Sequence, residues 1–553
     1  MTLIFLCSII GFSALGQAND SLPNSGEIRS AEVLIEKERK IVLPTASRLF
    51  QTTEIKELSK EPPPVSFSIN APQIALPKYV PTFRTLSLEK GKKDKTYANE
   101  AILGFGNYIS PLLSFTHLQE KNEWTFGANL FHESFLEGPV RNQESGSSLT
   151  QLGMRIAWKS ENTRFSFAPQ FNRTGYYFYG LSDEAFANPT EQTLTDRIRT
   201  QDFQLKAVLS GKGISDKLRY RIAPKVSFVS SAEIGKSAFA NESNFDIDAG
   251  ADFSVDKKNR VGLDFRGLTS SYESGTSLKR SVFSFEPWYR TKINTIDFKI
   301  GLQANAISDT DTATQTQVGA VMELRVPFGG SWSITGGIDN RIRFNRLLDL
   351  YPQNPFVEDS LSLRTSVEKV PFYGVLKGAI LPNLEVEAGV EIRDIENAIY
   401  FEPSLIDSSR FTMDYDTAEL NVFKYHVGLN YHVNESFELK AGFSYFDYSP
   451  GSEVEAWNRP TSVFDLSGVK RFDKWLLTTR LKVVNGIIAP SPVDFQPVDL
   501  KGFADLSLKV DYRINEQSAV FLQGENLFNQ SYAYFLNYPT RRIAIKAGFR
   551  YRF

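Results

Sequence analysis

The chain has 553 residues, of which 41% are hydrophobic and 23% charged, and its formal net charge is −2. That balance gives no reason to expect nucleic acid, and beyond the N-terminus no stretch approaches the roughly 20 consecutive apolar residues a membrane helix needs. The 43 Phe, 22 Tyr and 6 Trp leave another route through a bilayer open, because barrel strands escape hydropathy detection when half of their side chains face a polar lumen.

Leu3 to Phe12 is largely apolar, and Ala14-Leu15-Gly16 supplies small residues before Gln17. Residues 1–16 therefore read as an export signal, although the usual positive charge at its start is missing. Cys7, the single cysteine, lies inside that run. A mature chain without thiols has neither a disulfide framework nor a cysteine metal site. Residues 17–96 differ in character. Val33-Leu34-Ile35 and Ile41-Val42-Leu43 flank the charged Glu36-Lys37-Glu38-Arg39-Lys40, and Pro62-Pro63-Pro64, Pro72, Pro77 and Pro81 follow. Proline at that density favours extended backbone and denies the region a helix. The segment reads either as a periplasmic leader or as a strap that occludes a lumen or docks on a partner's sheet edge.

From Tyr97 to Phe553 the pattern is strand, short turn, strand, long loop. Short turns are predicted at Lys121-Asn122, Glu161-Asn162, Ile214-Ser215, Lys257-Lys258, Ile293-Asn294, Gly329-Gly330, Pro382-Asn383, Asn434-Glu435, Asp473-Lys474 and Asn515-Glu516. Long polar loops run over 136–148, 181–195, 347–369 and 485–497. Short turns at one end and long loops at the other are the asymmetry between the periplasmic and outer ends of a membrane barrel. Counting by this rule gives an all-β, antiparallel barrel of about 22 strands. The even count puts the leader and Phe553 at the same end.

Side chains alternate faces along a strand. Ile543, Ile545, Ala547, Phe549, Tyr551 and Phe553 share one face of the last segment, against Arg542, Ala544, Lys546, Gly548, Arg550 and Arg552 on the other. Phe423, Tyr425, Val427, Leu429 and Tyr431 likewise oppose Lys424, His426, Gly428, Asn430 and His432, and Leu506, Leu508 and Val510 oppose Ser507, Lys509 and Asp511. Slipping the register by one residue moves charge into lipid, at roughly 2 to 4 kcal/mol for a midplane Lys or Arg. The mixed charges on the inner faces are either ion-pair ladders or ordinary wet lumen residues.

The run Ala519-Val520-Phe521-Leu522-Gln523-Gly524-Glu525-Asn526-Leu527-Phe528-Asn529-Gln530-Ser531-Tyr532, with Tyr538-Pro539-Thr540-Arg541-Arg542 and the terminal Tyr551-Arg552-Phe553, resembles the C-terminal end of TonB-dependent receptors. The resemblance implies a 22-stranded outer-membrane barrel. Its motifs cover residues 519–553, and the rest of the barrel matches in architecture. Receptors of that family carry a globular plug before the barrel, whereas residues 17–96 are Pro-rich and charged. The chain looks like a plug-less relative, with TonB engagement open. A lumen of this width calls for closure, by the leader, by loops such as 347–369, or by a partner.

Catalytic, cofactor and metal sites find no support. His117 and His132 stand apart, and His426 and His432 share a face roughly 20 Å apart along one strand. His132-Glu133-Ser134 places a nucleophile and a base on adjacent, opposite-facing positions. Ser308-Asp309-Thr310-Asp311 falls short of a calcium ligand set. The expectation is a non-enzymatic, porin-like outer-membrane protein acting in solute transport, in contact with outer-membrane lipid and reaching periplasmic or outer-membrane protein partners through residues 19–96. The alternative is a scaffold subunit of an outer-membrane assembly or export complex.

Overall fold

The computed structural model describes residues 97–180, 197–213, 216–233, 238–309, 313–358, 360–369, 371–434 and 436–553. The signal at 1–16, the leader, the loop 181–195, the turn Ile214-Ser215, Glu435, Thr310 and Asp311 lie outside them.

The described chain forms a closed antiparallel barrel of 22 wall strands. It begins with Asn99–Gly106, Leu112–Lys121 and Trp124–Phe135 and ends with Phe503–Arg513, Ser518–Glu525 and Ala544–Arg552. Every wall strand pairs with its sequence neighbour in the ring, and the last closes on the first in the register Glu100↔Arg552 through Gly106↔Lys546. The Asn99 amide donates to the Phe553 carbonyl and the Phe553 amide to that of Asn99, at 3.0 and 3.1 Å. From strand spacing and tilt, the ring is roughly 40 Å across.

The predicted short turns that fall on described residues sit between wall strands. Several turn on Asn or Asp at positive φ, as at Asn122 (56°), Asn294 (56°) and Asp473 (49°), a region these residues tolerate and bulky ones do not. At Gly329-Gly330 both residues have positive φ, 52° and 82°, which suits the twist of a tight hairpin.

The alternation holds in three dimensions. Ile545, Phe549, Tyr551 and Phe553 are exposed on the outer face, while Lys546 on the same strand is buried. Leu302, Phe285, Leu522 and Val318, the last 69% exposed, continue the outer belt round the ring. An apolar belt of that extent is untenable in water. At the short-turn end it finishes in outward aromatics, including Trp124 beside Trp158, Trp475 beside Tyr512 and Tyr551 beside Phe553, with centroids 6.5, 4.7 and 5.6 Å apart. This is the interfacial girdle expected of a bilayer wall. The protein is an integral outer-membrane barrel.

The inner faces form ladders. Arg290 meets Glu323 at 2.9 Å and Asp297 at 3.5 Å, Lys299 meets Glu286 at 2.7 Å, and Arg219 meets Asp252 at 2.9 Å. Glu391 bridges Arg393 and Lys424, and Arg552 reaches Glu100 across the closing seam at 2.7 Å. Of the two readings open from sequence, these positions take the ladder.

Five elements lie within what the sequence showed only as long polar loops. The long loops carry hairpins of their own, Arg341–Phe344 with Thr365–Glu368, Ile399–Pro403 with Phe411–Tyr415, and Ile487–Pro490 with Pro497–Leu500. Leu347–Leu350 is a single α-helical turn, and Asn142–Ser145 a 3₁₀ turn.

Candidate functional site: the capped mouth

At the long-loop end the inward face of the wall changes chemistry. In Leu420–Asn434 the inward residues Lys424 and His426 give way to Leu420 and Val422, both almost fully buried. Arg393 likewise gives way to Ile395, Lys482 to Val484, Asp465 to Val463 and Asp505 to Phe503. The mouth is therefore lined by an apolar collar above a charged lumen. Buried apolar surface needs a cover, and loops from several sides supply it.

Leu347, Leu350, Phe356 and Val357 from loop 339–371, Tyr400, Phe401, Phe411 and Met413 from loop 397–419, Trp457 from loop 450–461, Ile487 from loop 486–502, and Tyr532, Phe535 and Tyr538 from loop 526–543 form one continuous buried cluster with the collar. Tyr538 stacks on Phe356 and tilts against Tyr179, with centroids 3.6 and 4.9 Å apart. Its hydroxyl donates to the Ser409 carbonyl. Phe535 packs between Phe411 and Phe401 at 5.2 and 6.1 Å, and Tyr532 stacks on Phe503 at 3.8 Å while donating to Asp505 at 2.7 Å.

Polar latches fix this cap to the wall. Arg346 donates to both oxygens of the wall residue Asp246, at 2.8 and 2.9 Å, and to Asp349 at 2.8 Å. Burial opposes its charge, but Asp349 and Asp246 outweigh that and hold its pKa above the ordinary value. The Leu347 amide donates to Glu242 at 2.8 Å, the Leu361 amide to the Tyr272 hydroxyl at 3.1 Å, and Thr365 to Asp309 through its amide and hydroxyl at 3.0 and 2.9 Å. Asp309, weighed from sequence as a calcium ligand, thus clasps the cap.

Under the cap, against the wall, lies a cavity of about 80 Å³ lined by Phe135, Ser147, Tyr176, Phe356, Tyr538 and Arg541, among others. The Arg541 guanidinium lies 3.7 Å from the Phe135 ring centroid and donates to Ser147 at 3.0 Å. Beside it Lys546 is enclosed by Glu133, which it contacts directly, and Glu525 at 3.8 Å. Burial so deep is tolerated only because the charges meet.

The histidines remain apart. His117 pairs with Asn99 at 2.8 Å, His132 with Thr150 at 2.8 Å, and His426 with Glu387 at 3.4 Å. His432 lies opposite Glu438. Glu133 faces Lys546 inside, so it does not serve His132 or Ser134. A group not legible in sequence is Glu402, Asp414 and Glu453, whose carboxylate oxygens lie within 4.8 Å of one another across two cap loops. Burial, with the charges of Glu453 and Asp414, raises the Glu402 pKa to about 7.

No family model matches the sequence, and no curated protein matches it. Solved structures do. The barrel is similar to the FrpB iron transporter from Neisseria meningitidis, with TM-score 0.65 at 11% identity over 83% of this chain and 82% of that one. It is similar to the copper transporter OprC, with TM-score 0.60 at 10% identity over 83% and 82%. A third match is the siderophore receptor PiuA from Acinetobacter baumannii, with TM-score 0.59 at 10% identity over the same shares, 83% and 82%. The chain has the transporter-like barrel fold of TonB-dependent outer-membrane receptors, the one that residues 519–553 resemble in sequence.

Proposed function

We propose that this protein moves a solute across the outer membrane through a barrel whose outer mouth is shut by its own loops. The observation that carries the reading is the aromatic cap latched over a polar, charge-lined interior. A passage needs a wet wall, and a barrel of this width needs a gate to keep the envelope from leaking. The wall supplies the first and loops 339–371, 397–419 and 526–543 the second. The similar structures are described as an iron transporter, a copper transporter and a siderophore receptor, which supports transport as the class and leaves the solute open. The first wall strand begins at Asn99, at the short-turn end beside Phe553, so a partner of the preceding segment would be met at that end.

Planar-bilayer reconstitution tests the reading. The intact chain should conduct little, and replacing residues 347–363 with a short Gly-Ser linker should open steady conductance through the lumen. If that variant, also lacking 19–96, neither conducts nor supports solute uptake in vesicles, transport is refuted. A stable complex with envelope proteins that depends on 19–96 would then favour the scaffold.

A further inference from the structure

The outer wall near the loop end carries three arginines with no carboxylate partner among the described residues. Arg173 lies on the outward face of Thr163–Tyr176 and Arg199 on that of Ile198–Lys212, diagonally across the pair, since Arg173 opposes Gln201 and Gly175 opposes Arg199. Arg197 completes the group. Its guanidinium donates to Ser148 at 2.7 Å and lies over Gly175, where an added Cβ would come within 3.0 and 3.1 Å of two of its nitrogens. The lack of a side chain at 175 is what lets this arginine fold back toward the other two. Arg173 is close enough to both to feel their charge. The Nε of Arg199 is buried and has no hydrogen-bond partner.

Three like charges side by side repel one another, and on a membrane wall they are poorly hydrated. Among the described residues, the lumen charges of the ladders meet their opposites. The height of the trio identifies what is missing. Arg173 stands two residues beyond the outward Phe171, and Arg199 four beyond the outward Phe203. At the rise of a strand tilted as barrel strands are, these lie about 5 and 10 Å above those rings along the membrane normal, the level of outer-leaflet head groups. Guanidinium forks match phosphate oxygens in geometry and charge.

We infer that Arg173, Arg197 and Arg199 form a binding site for the phosphorylated head group of an outer-leaflet glycolipid. The acyl chains of such a lipid lie along Phe171 and Phe203 while its phosphate takes the unmet guanidinium donors. The site is on the lipid face, so it stands whether or not the lumen transports.

The test uses the full chain, folded into vesicles of phosphatidylcholine with a minor fraction of lipid A, then extracted in mild detergent and weighed by native mass spectrometry. The unchanged chain should retain lipid A. The triple variant Arg173→Gln, Arg197→Gln, Arg199→Gln should retain it about tenfold less or weaker still, as expected for losing several charge-assisted bonds. The corresponding triple Arg→Lys variant should keep much of it, and an inner-face control, Arg155→Gln, Arg221→Gln, Arg325→Gln, all of it. Equal retention by the outer Gln triple overturns the proposal. So does occupancy by inorganic phosphate with no lipid A retained. Should the Gln triple fail to give the heat-modifiable band of a folded barrel, Arg199→Gln alone decides by the same readout.

Discussion

Phe356 and Tyr538 lie face to face, their ring centroids 3.6 Å apart and their planes within 23°, although their loops leave the wall after strands Trp332–Ile338 and Ser518–Glu525, eight positions apart in the ring of 22. By the ring geometry, roughly 40 Å of open mouth separates those exits. The stack is therefore the keystone of the cap. Phe356→Ala and Tyr538→Ala should each remove about 3–5 kcal/mol of local stability, the usual loss for a buried aromatic. Amides of loops 339–371 and 526–543 should exchange faster while those of the wall do not change. Slowed exchange only in the wall would contradict this.

The Arg346–Asp246 latch should behave as a buried pair. Arg346→Met strands the Asp246 carboxylate, at about 3–5 kcal/mol, whereas Asp246→Asn should cost less because Arg346 keeps Asp349, and the double variant should recover much of the Arg346→Met loss. A double-mutant cycle on cap opening, followed by limited proteolysis in loop 339–371, measures the coupling. Strict additivity would mean that the pair is not coupled.

Glu402 gives the cap a pH dependence of definite sign. Its carboxyl titrates near 7 in the folded cap, above the unfolded value of about 4.3, so folding favours its protonated form. The hairpin Ile399–Tyr415 should be most secure below the unfolded pKa and lose stability as pH rises through the folded one, between roughly 4.3 and 7. Exchange of the Ile399–Pro403 amides at pH 5 and pH 8 reads this directly. Glu402→Gln should flatten the difference, and a hairpin firmer at pH 8 would reverse the sign.

Lys546 is buried between Glu133 and Glu525, with 1% of its side chain exposed. Lys546→Met should destabilise the barrel by about 3–5 kcal/mol by leaving two carboxylates facing each other. Adding Glu133→Gln should restore part of it. Urea unfolding in lipid vesicles, read by tryptophan fluorescence, distinguishes the two variants. On the outer belt, Leu302→Arg should cost about 2–4 kcal/mol in the same assay.

The wall was legible in sequence because its two signals are local. Period-two alternation set the faces of Phe423–Val433 and Ile543–Phe553, and Asn, Asp and Gly marked the short turns. The cap was not, because its core is assembled from five loops with no shared period, and nothing local links Phe356 to Tyr538. One trace was present. The inward positions of several strands turn from charged to apolar just before the long loops, as from Lys424 to Val422 and Leu420, or from Lys482 to Val484. A wet lumen has no use for that change, so it marks where the mouth is filled. The acidic trio escaped for the same reason, since Glu453 is carried by a different loop from Glu402 and Asp414.

The reciprocal hydrogen bonds between Asn99 and Phe553 bear on how the molecule comes into being. A ring sealed by its first and last strands cannot exist in part. Until the final segment arrives, the growing sheet has two raw borders, each a template for aggregation. Losing the last few residues would therefore unpair the strand that closes the ring and leave its two borders open.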